Sequence, residues 1–187
     1  MKRIMIDLET ISTFPNAGVV AIALVMYDDK DSENLRGRTW YIDPDFVIGH
    51  NNPETRDWWN DQDPNVRKKI FGGNETPRDV FQSVNGFVSG FIGYSEEVRI
   101  YADPANFDFP ILKSQYQALG LQSPWSWRDE RCLRTMKKEL ADNTGIEIEE
   151  VTSEIPHDPM HDCLAQVKEL KTVLQVYRSL GNQGKKR

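Results

Sequence analysis

Cysteine is scarce in this chain, which excludes one class of fold. Cys132 and Cys163 are the two cysteines among 187 residues, too few for a disulfide framework and in keeping with a reducing compartment. Apolar runs are short, and none approaches the roughly 20 residues that a membrane span requires. Residues 1–3 lead into acidic sequence instead of the apolar segment of a secretory signal. We therefore expect a cytoplasmic protein without a membrane partner.

Positive charge is also in deficit. The chain has 23 Lys and Arg residues against 29 Asp and Glu, for a net charge of −6. A module that holds nucleic acid only by neutralising phosphates is normally basic, so this balance argues against that class. It does not exclude an enzyme that meets phosphates through bound divalent cations, because such a site needs clustered carboxylates.

The patterns that are present alternate between strand and helix, which is typical of a mixed α/β domain. With 39% apolar residues the chain can bury one core. We predict a single domain over residues 1–180 and a disordered tail over 181–187. The predicted strands are 2–9, 18–28, 38–43 and 98–101, of which the first three form an antiparallel meander. The predicted helices are two short ones beginning at Pro53 and Pro64, and then 76–94, 105–118, 131–141 and 159–178.

The first candidate site residues are Asp7 and Glu9, at the end of the first predicted strand. Side chains two positions apart on a strand share a face, with their Cα atoms about 7 Å apart. Ile4, Ile6 and Leu8 then occupy the opposite, buried face. Two carboxylates on one face repel each other unless a cation or solvent separates them. The pattern indicates either a divalent-cation site with oxygen ligands or a solvated acidic edge.

The second candidate is Asp108, in the helix that follows the fourth predicted strand. Polar groups beyond the C-terminal ends of strands often form the sites of α/β folds. Asp103 and Pro104 have an ordinary explanation as the cap and first residue of that helix. Asp108 instead lies between Phe107 and Phe109 in the helix body, where an aspartate is mildly unfavourable. This cost favours a functional role for Asp108.

The third candidate is the segment IPHDPMHDC, residues 155–163. Its prolines interrupt the backbone before the last helix, so His157 lies in a loop and Asp162 in the first turns of the helix. The helix dipole favours a carboxylate here and alone accounts for Asp158. A further interpretation is a loop histidine that acts as a base beside a metal-binding aspartate. The alternative is a zinc site that lacks a CxxC pair, built from His157, His161, Cys163 and Cys132.

In order, the three stretches resemble the DEDDh pattern of 3'-5' exonucleases, a superfamily with a ribonuclease H-like fold. The chain is most similar to the exonuclease A type of tailed phages and to related bacterial and prophage enzymes. The resemblance implies a mixed five-stranded sheet, an antiparallel meander followed by parallel strands, flanked by helices. The supporting segments are TRDWWNDQDPNVRK (55–68), NFDFPIL (106–112), WRDERCLRT (127–135) and HDPMHDC (157–163).

The resemblance also implies an activity and a cofactor. The reaction would release nucleoside 5'-monophosphates from the 3' end of single-stranded DNA or RNA, in a bacterial or phage-infected cell. His157 would be the general base, and His161 a residue of the helix face without a catalytic role. Dimers are common among relatives, so a homodimer is an open expectation. Two Mg²⁺ or Mn²⁺ ions would be held by Asp7, Glu9, Asp108 and Asp162.

The expected substrate contacts follow partly from the resemblance and partly from the pair Trp58-Trp59. Adjacent helical residues diverge by about 100°, so one ring enters the core while the other can stack on a base. Trp59 is included among the expected contacts, although the sequence leaves open whether Trp58 or Trp59 meets the base, and packing of both rings in the core is the alternative. Arg134 serves either a phosphate or an internal ion pair. The expected contacts are Leu8, Thr10, Phe107, Trp59 and Arg134.

The chain departs from the family pattern at two positions. Pro104 stands four residues before Asp108, where many members of the superfamily have asparagine, which leaves substrate positioning open. Cys132 stands where close relatives usually have aspartate, so the role of that aspartate does not transfer.

Three other classes of function compete with the exonuclease, and one of them is a structural protein with the same fold, whose stability would not depend on magnesium. Asp7-Leu8-Glu9-Thr10 is similar to the DxDxT loop of haloacid dehalogenase-type phosphatases, but its second acid is Glu and the histidine segment stays unexplained. A non-catalytic nucleic-acid-binding module would have no reason to combine the four carboxylates with His157.

Overall fold

The computed structural model describes residues 1–93 and 97–184, which form helices around one five-stranded sheet. The strand order is β3-β2-β1-β4-β5. The first three strands are antiparallel neighbours, whereas β4 pairs parallel with β1 and β5 pairs parallel with β4. The expected mixed sheet is therefore confirmed. The strands are β1 Lys2–Thr10, β2 Val19–Asp28, β3 Asp31–Tyr41, β4 Val98–Ala102 and β5 Glu130–Cys132.

The helices begin where the sequence supplies caps. Asn52, Asp63 and Thr76 each accept a backbone N–H with their side chains and are followed by a proline at the start of a helix. A short 3₁₀ turn covers Trp127–Asp129. The helices are α1 Pro53–Asn60, α2 Pro64–Ile70, α3 Pro77–Ile92, α4 Ala105–Ala118, α5 Leu133–Thr144 and α6 Pro159–Gly184.

The central strand β1 is covered on both faces, and its alternation assigns each side chain to one of two cores. Ile4, Ile6 and Leu8 pack in a core with residues of α3 and α4. Met5 packs in a second core with residues of α5 and α6. Because Asp7 continues the odd-numbered face of Met5, it points toward α6 rather than to open solvent.

Two strand assignments from the sequence were wrong. Strand β3 covers Asp31–Tyr41 instead of 38–43. It is an exposed edge strand paired with β2 along its length, so its polar residues give no alternating signal. Strand β5 has three residues, and part of it falls inside the helix predicted at 131–141. That helix is α5 and begins at Leu133, after the pairing of Ala102 with Cys132 ends.

Two helix ends also differ from the prediction. Helix α3 ends at Ile92, because Gly93 adopts a positive φ of 71°, and Tyr94 lies outside the described residues. Helix α6 continues to Gly184 instead of ending near residue 178. Residues 181–184 are therefore helical where a disordered tail was predicted, and 185–187 lie outside the described residues. None of the helices in the described ranges is long and apolar enough to span a bilayer.

Gln115 ties α4 to the loops around the end of β1. Its side chain is 2% exposed, and its Nε2 donates to the carbonyls of Ala17, at 2.7 Å, and Ile48, at 3.0 Å. Gln115→Leu leaves the buried Ala17 carbonyl and the partly buried Ile48 carbonyl without this donor, so we expect a loss of about 1–3 kcal/mol in the free energy of unfolding. Urea denaturation measures the loss. The control is Gln117→Leu on the exposed side of α4, and an equal loss in both variants would contradict the assignment.

Candidate active site

Asp7 and Glu9 lie at the C-terminal end of β1, and both carboxyl groups are held in an unfavourable setting for charge. Burial raises the pKa of Asp7 well above its ordinary value, and the charges of Asp108 and Asp162 raise it further. The pKa of Glu9 is raised in the same way, by burial first and then by Asp7 and Asp162. Gln166 on α6 partly compensates, since its Nε2 donates to Asp7 Oδ1 at 3.0 Å.

Asp108 reaches the same region from the first turn of α4. Its side chain is 4% exposed, and this burial raises its pKa to about 7 despite hydrogen bonds from its own backbone and that of Leu8. The Leu8 contact places Asp108 against the end of β1. Asp103 does not cap α4 as expected: Pro104 occupies that position, and Asp103 pairs with Arg134 at 3.0 Å and Lys137 at 3.1 Å.

His157 and Asp162 complete the cluster from the other side. The backbone N–H of His157 donates to Asp162 Oδ2 at 3.0 Å, and His157 itself has a left-handed backbone with φ of 64°, unusual for a residue with a side chain. One ligand atom each from Glu9, His157 and Asp162 lies within 4.8 Å of the others. Burial raises the pKa of Asp162. The predicted carboxylates and histidine therefore converge in space.

Asp158 anchors the loop that carries His157. It is 1% exposed and accepts from Lys69 Nζ and from the backbone N–H of Met160, at 3.1 Å. His161 Nδ1 lies 3.1 Å from the same carboxylate. Burial opposes ionisation, but Lys69 and His161 hold the pKa of Asp158 below its ordinary value. Asp158 thus has the structural role expected at a helix start, and His161 pairs with it.

The zinc alternative is not supported by the arrangement of the cysteines. Cys163 lies in the core, where its thiol points to the carbonyls of Met5 and Ala23. Cys132 caps α5 by accepting the Thr135 N–H. Within the described part of the chain, the two cysteines and the histidines do not form a common cluster.

A cleft of about 400 Å³ opens beside the carboxylates. Four of the five expected substrate contacts line it, and Arg134 lies apart, with an exposed guanidinium paired to Asp103. The cleft is also bordered by Glu9 and by residues of α1. The expected contacts that line it are Leu8, Thr10, Trp59 and Phe107.

Trp59 lines the cleft, as expected of a substrate contact, but its ring is buried whereas the ring of Trp58 is exposed. Trp59 is 2% exposed, and its Nε1 donates to the Thr10 carbonyl at 2.9 Å, so its ring is part of the cleft floor. Trp58 is 42% exposed and packs edge-on against His157, with ring centroids 4.8 Å apart. Since both rings lie on α1, the sequence could not decide which of them faces the core.

Sequence reasoning missed Gln166, although a signal was available. It lies four residues after Asp162, and positions four apart share a helix face. A donor at that place on α6 can reach the carboxylate of Asp7 on the neighbouring strand. Lys69 carried no such signal, because its contact with Asp158 depends on how α2 docks against the start of α6.

The donor set fits divalent cations. The four carboxylates supply oxygen ligands, which Mg²⁺ and Mn²⁺ prefer, and their mutual repulsion is what such cations would relieve. The carbonyl oxygen of Gln166 is buried without a hydrogen bond among the described residues, so this side chain retains an acceptor in the cluster. A five-stranded ribonuclease H-like sheet with this carboxylate and histidine set defines a nuclease of the DEDDh exonuclease class.

Comparison with known proteins agrees with this class. Residues 2–174 match the model of the 3'-5' exoribonuclease Rv2179c-like domain, and the chain belongs to that family. Over 205 aligned positions it is 23% identical to the exodeoxyribonuclease of Enterobacteria phage T4, covering 94% of this chain and 90% of the phage protein. The resemblance to DEDDh 3'-5' exonucleases is thereby confirmed, and the family implies dependence on a divalent metal and a nucleic-acid substrate.

Solved structures share the fold. Cell-death related nuclease 4 (CRN-4) superposes with a TM-score of 0.71 at 17% identity, over 94% of this chain. Exonuclease I of E. coli, in complex with a dT13 oligonucleotide, superposes with a TM-score of 0.61 at 16% identity, also over 94% of this chain. The chain spans 64% of the CRN-4 chain and 40% of the exonuclease I chain.

The carboxylate cluster should make the stability of the metal-free protein depend on pH. Asp108 has an ordinary pKa of 3.8 and a pKa of about 7 in the fold, so the folded state holds a proton that the unfolded state releases. The free energy of unfolding should therefore fall as pH rises from about 4 to about 7. Asp108→Asn should remove part of this fall, on the order of a few kcal/mol.

Denaturation in EDTA at several pH values measures this effect. Asp142→Asn, an exposed carboxylate of α5, is the matched control and should keep the wild-type slope. Added Mg²⁺ should stabilise the wild type more at high pH than at low pH, because the cation binds the ionised carboxylates. A pH slope that Asp108→Asn leaves unchanged would contradict the assignment.

Proposed function

We propose that this protein is a 3'-5' exonuclease that hydrolyses the terminal phosphodiester bond of single-stranded nucleic acid. The observation that carries the proposal is the convergence of Glu9, Asp162 and His157 at one end of a cleft lined by Leu8 and Phe107. Water would attack the phosphorus, the bond to the 3' oxygen would break, and the products would be a nucleoside 5'-monophosphate and a strand with a new 3' hydroxyl.

Asp7, Glu9, Asp108 and Asp162 are the residues that would hold two Mg²⁺ or Mn²⁺ ions. When bound, such a pair makes water more acidic and neutralises charge on the reacting phosphate. Gln166 orients Asp7 through its amide donor, and the Leu8 backbone orients Asp108. The chain thus fixes the carboxylates from three elements, β1, α4 and α6.

His157 is proposed as the general base. Its imidazole lies beside Glu9 and Asp162, and an imidazole is suited to accepting a proton from water near neutral pH. Its backbone position is held by the N–H donated to Asp162 and by the buried Asp158 next to it. Trp58 limits the rotation of the ring from the solvent side.

The cleft would receive the 3' nucleotide. Leu8 and Phe107 offer apolar contacts, and Thr10 lies beside them at the end of β1. The exposed ring of Trp58, rather than the buried ring of Trp59, would stack on a base, and such stacking contributes about 1–3 kcal/mol without sequence preference. Arg134 is exposed enough to meet a phosphate while it stays paired with Asp103.

The preference for deoxyribose or ribose in the substrate is decided by the cleavage experiment below. The matching family is described as an exoribonuclease, whereas the phage relative is an exodeoxyribonuclease. Both reactions use the same phosphodiester chemistry, and the choice depends on a contact with the 2'-hydroxyl. The phosphatase reading is not favoured, because the family and fold findings agree on a nuclease.

The direct test is a time course on matched 5'-labelled DNA and RNA single strands with Mg²⁺ or Mn²⁺. We expect a ladder that shortens from the 3' end and that EDTA abolishes. p-Nitrophenyl phosphate should be cleaved poorly. Rapid release of nitrophenol without a ladder would instead support the phosphatase, and binding without any cleavage would support the non-catalytic module.

Two substitutions test the proposed roles. Asp7→Asn should lower cleavage to background, because it removes a metal-binding charge, whereas His157→Gln should lower kcat about 10²–10⁴-fold while metal binding persists. Calorimetric titration with Mn²⁺ separates the two effects. Asp142→Asn serves as the control and should cut at the wild-type rate. A His157→Gln variant with unchanged kcat would remove this residue from the role of base.

A further inference from the structure

A second and larger groove of about 1110 Å³ runs along α4, between this helix and residues 121–132. From Asn106 to Gln117 the helix rises about 16 Å, which is long enough for a few nucleotides. Phe109, Leu112 and Tyr116 form the apolar floor. The whole groove, lined by residues of α4 and of the segment 121–132, is termed the α4 groove. It has no part in the catalytic cluster.

The α4 groove begins one residue from the catalytic cleft. Phe107 lines the cleft, and its neighbour Asn106 lines the groove. Asn106 is exposed in the first turn of α4, the same turn that carries Asp108. The first turn of α4 thus borders both sites, and a strand whose 3' end lies in the cleft would pass this turn to enter the groove.

Two tryptophans, Trp125 and Trp127, line the α4 groove and differ in exposure. Trp125 is fixed, since its Nε1 donates to Glu130 Oε1 at 3.2 Å and its ring lies 6.2 Å from that of Tyr116. Trp127 is 69% exposed, more than any other large apolar side chain among the described residues. The guanidinium of Arg128 lies 4.6 Å from its ring centroid. An exposed indole beside a cation is a surface suited to stacking on planar bases.

The charged side chains that line the groove favour an anionic occupant. Lys113 and Arg131 line it, while the one lining carboxylate, Glu130, is engaged by the Trp125 indole. These cations stand in a chain with a net charge of −6. Aromatic rings between cations fit a polyanion with flat bases, and lysine is depleted in ordinary protein–protein interfaces.

We propose that the α4 groove is a second subsite, which binds the bases and phosphates of a single strand on the 5' side of the nucleotide being removed. The inference rests on the proposed function, because that function places the 3' end of the strand in the adjoining cleft. Contacts made equally in the ground state and the transition state lower KM without changing kcat. The groove would therefore favour long strands over short ones through KM.

The kinetic test compares Trp127→Ala with wild type on a long single strand and on a dinucleotide. On the long strand KM should rise about tenfold at constant kcat, as expected for the loss of one stacked base. On the dinucleotide, which has too few nucleotides to occupy the groove, both parameters should stay at wild-type values. The control Phe46→Ala removes another exposed ring, which is 58% exposed and lies outside the groove. It should leave KM and kcat unchanged on both substrates.

Binding of the same strand in EDTA tests the groove without catalysis. Fluorescence anisotropy should give a weaker affinity for Trp127→Ala, and Lys113→Gln should reduce the dependence of log K on log salt by about 0.7. Lys138→Gln is the matched control, because Lys138 is exposed on α5 and paired with Asp142. Wild-type affinity in both groove variants would overturn the inference.

The outcomes separate this inference from the proposed function. A wild type that binds the strand through Trp127 but never cuts it would refute the exonuclease and leave the subsite standing. A wild type that cuts, with Trp127→Ala unchanged on long strands, would refute the subsite alone. If Trp127→Ala instead converts a dimer to a monomer in sedimentation, with KM unchanged, the groove is a contact between two copies and the inference falls.

Discussion

Repulsion among buried carboxylates is the constraint on which the rest of this structure depends. Burial raises the pKa of Asp7, Glu9 and Asp108, and the charges of neighbouring carboxylates raise the pKa of Asp7 and Glu9 further. A fold gains nothing from such an arrangement by itself, since each ionised group costs free energy until a cation neutralises it. The cluster therefore lowers the stability of the metal-free protein, and the same carboxylates provide the ligands of a metal-binding site. The scaffold must be rigid enough to hold it.

The central position of β1 supplies that rigidity. The strand pairs with β2 on one side and β4 on the other, and one face of it packs under α3 and α4. Its other face carries Met5 into the core beneath α6 and then Asp7 toward Gln166. The same alternation that buries apolar residues thus aims carboxylates at a helix that brings further polar groups. Packing and chemistry share one strand, so a change in register would destroy both.

The surroundings of His157 combine a fixed support with an open side. The neighbouring Asp158 is buried and bound by Lys69. The imidazole ring of His157 packs edge-on against the half-exposed Trp58. The support fixes the backbone, whereas the open side leaves the imidazole within reach of solvent and of a substrate in the cleft. The first turn of α4 borders both the cleft, through Phe107, and the α4 groove, through Asn106. The proposed subsite would let an acidic protein hold a nucleic acid largely by base stacking, with few phosphate contacts.

The sequence alone predicted the candidate catalytic set and the order of its elements, because the acids and the histidine lie in local patterns. These are the alternation around Asp7, an isolated Asp108 in a helix, and prolines that place His157 in a loop. It also located β1 and β2, whose apolar strand patterns are strong, and the bounds of α4. Only the tertiary structure decided the features that depend on contacts between distant segments of the chain. Glu130–Cys132 became a strand through pairing with β4, and Trp59 rather than Trp58 entered the core through a hydrogen bond to Thr10. Such choices depend on which surfaces meet after the chain has folded, and a single-sequence pattern does not carry that information.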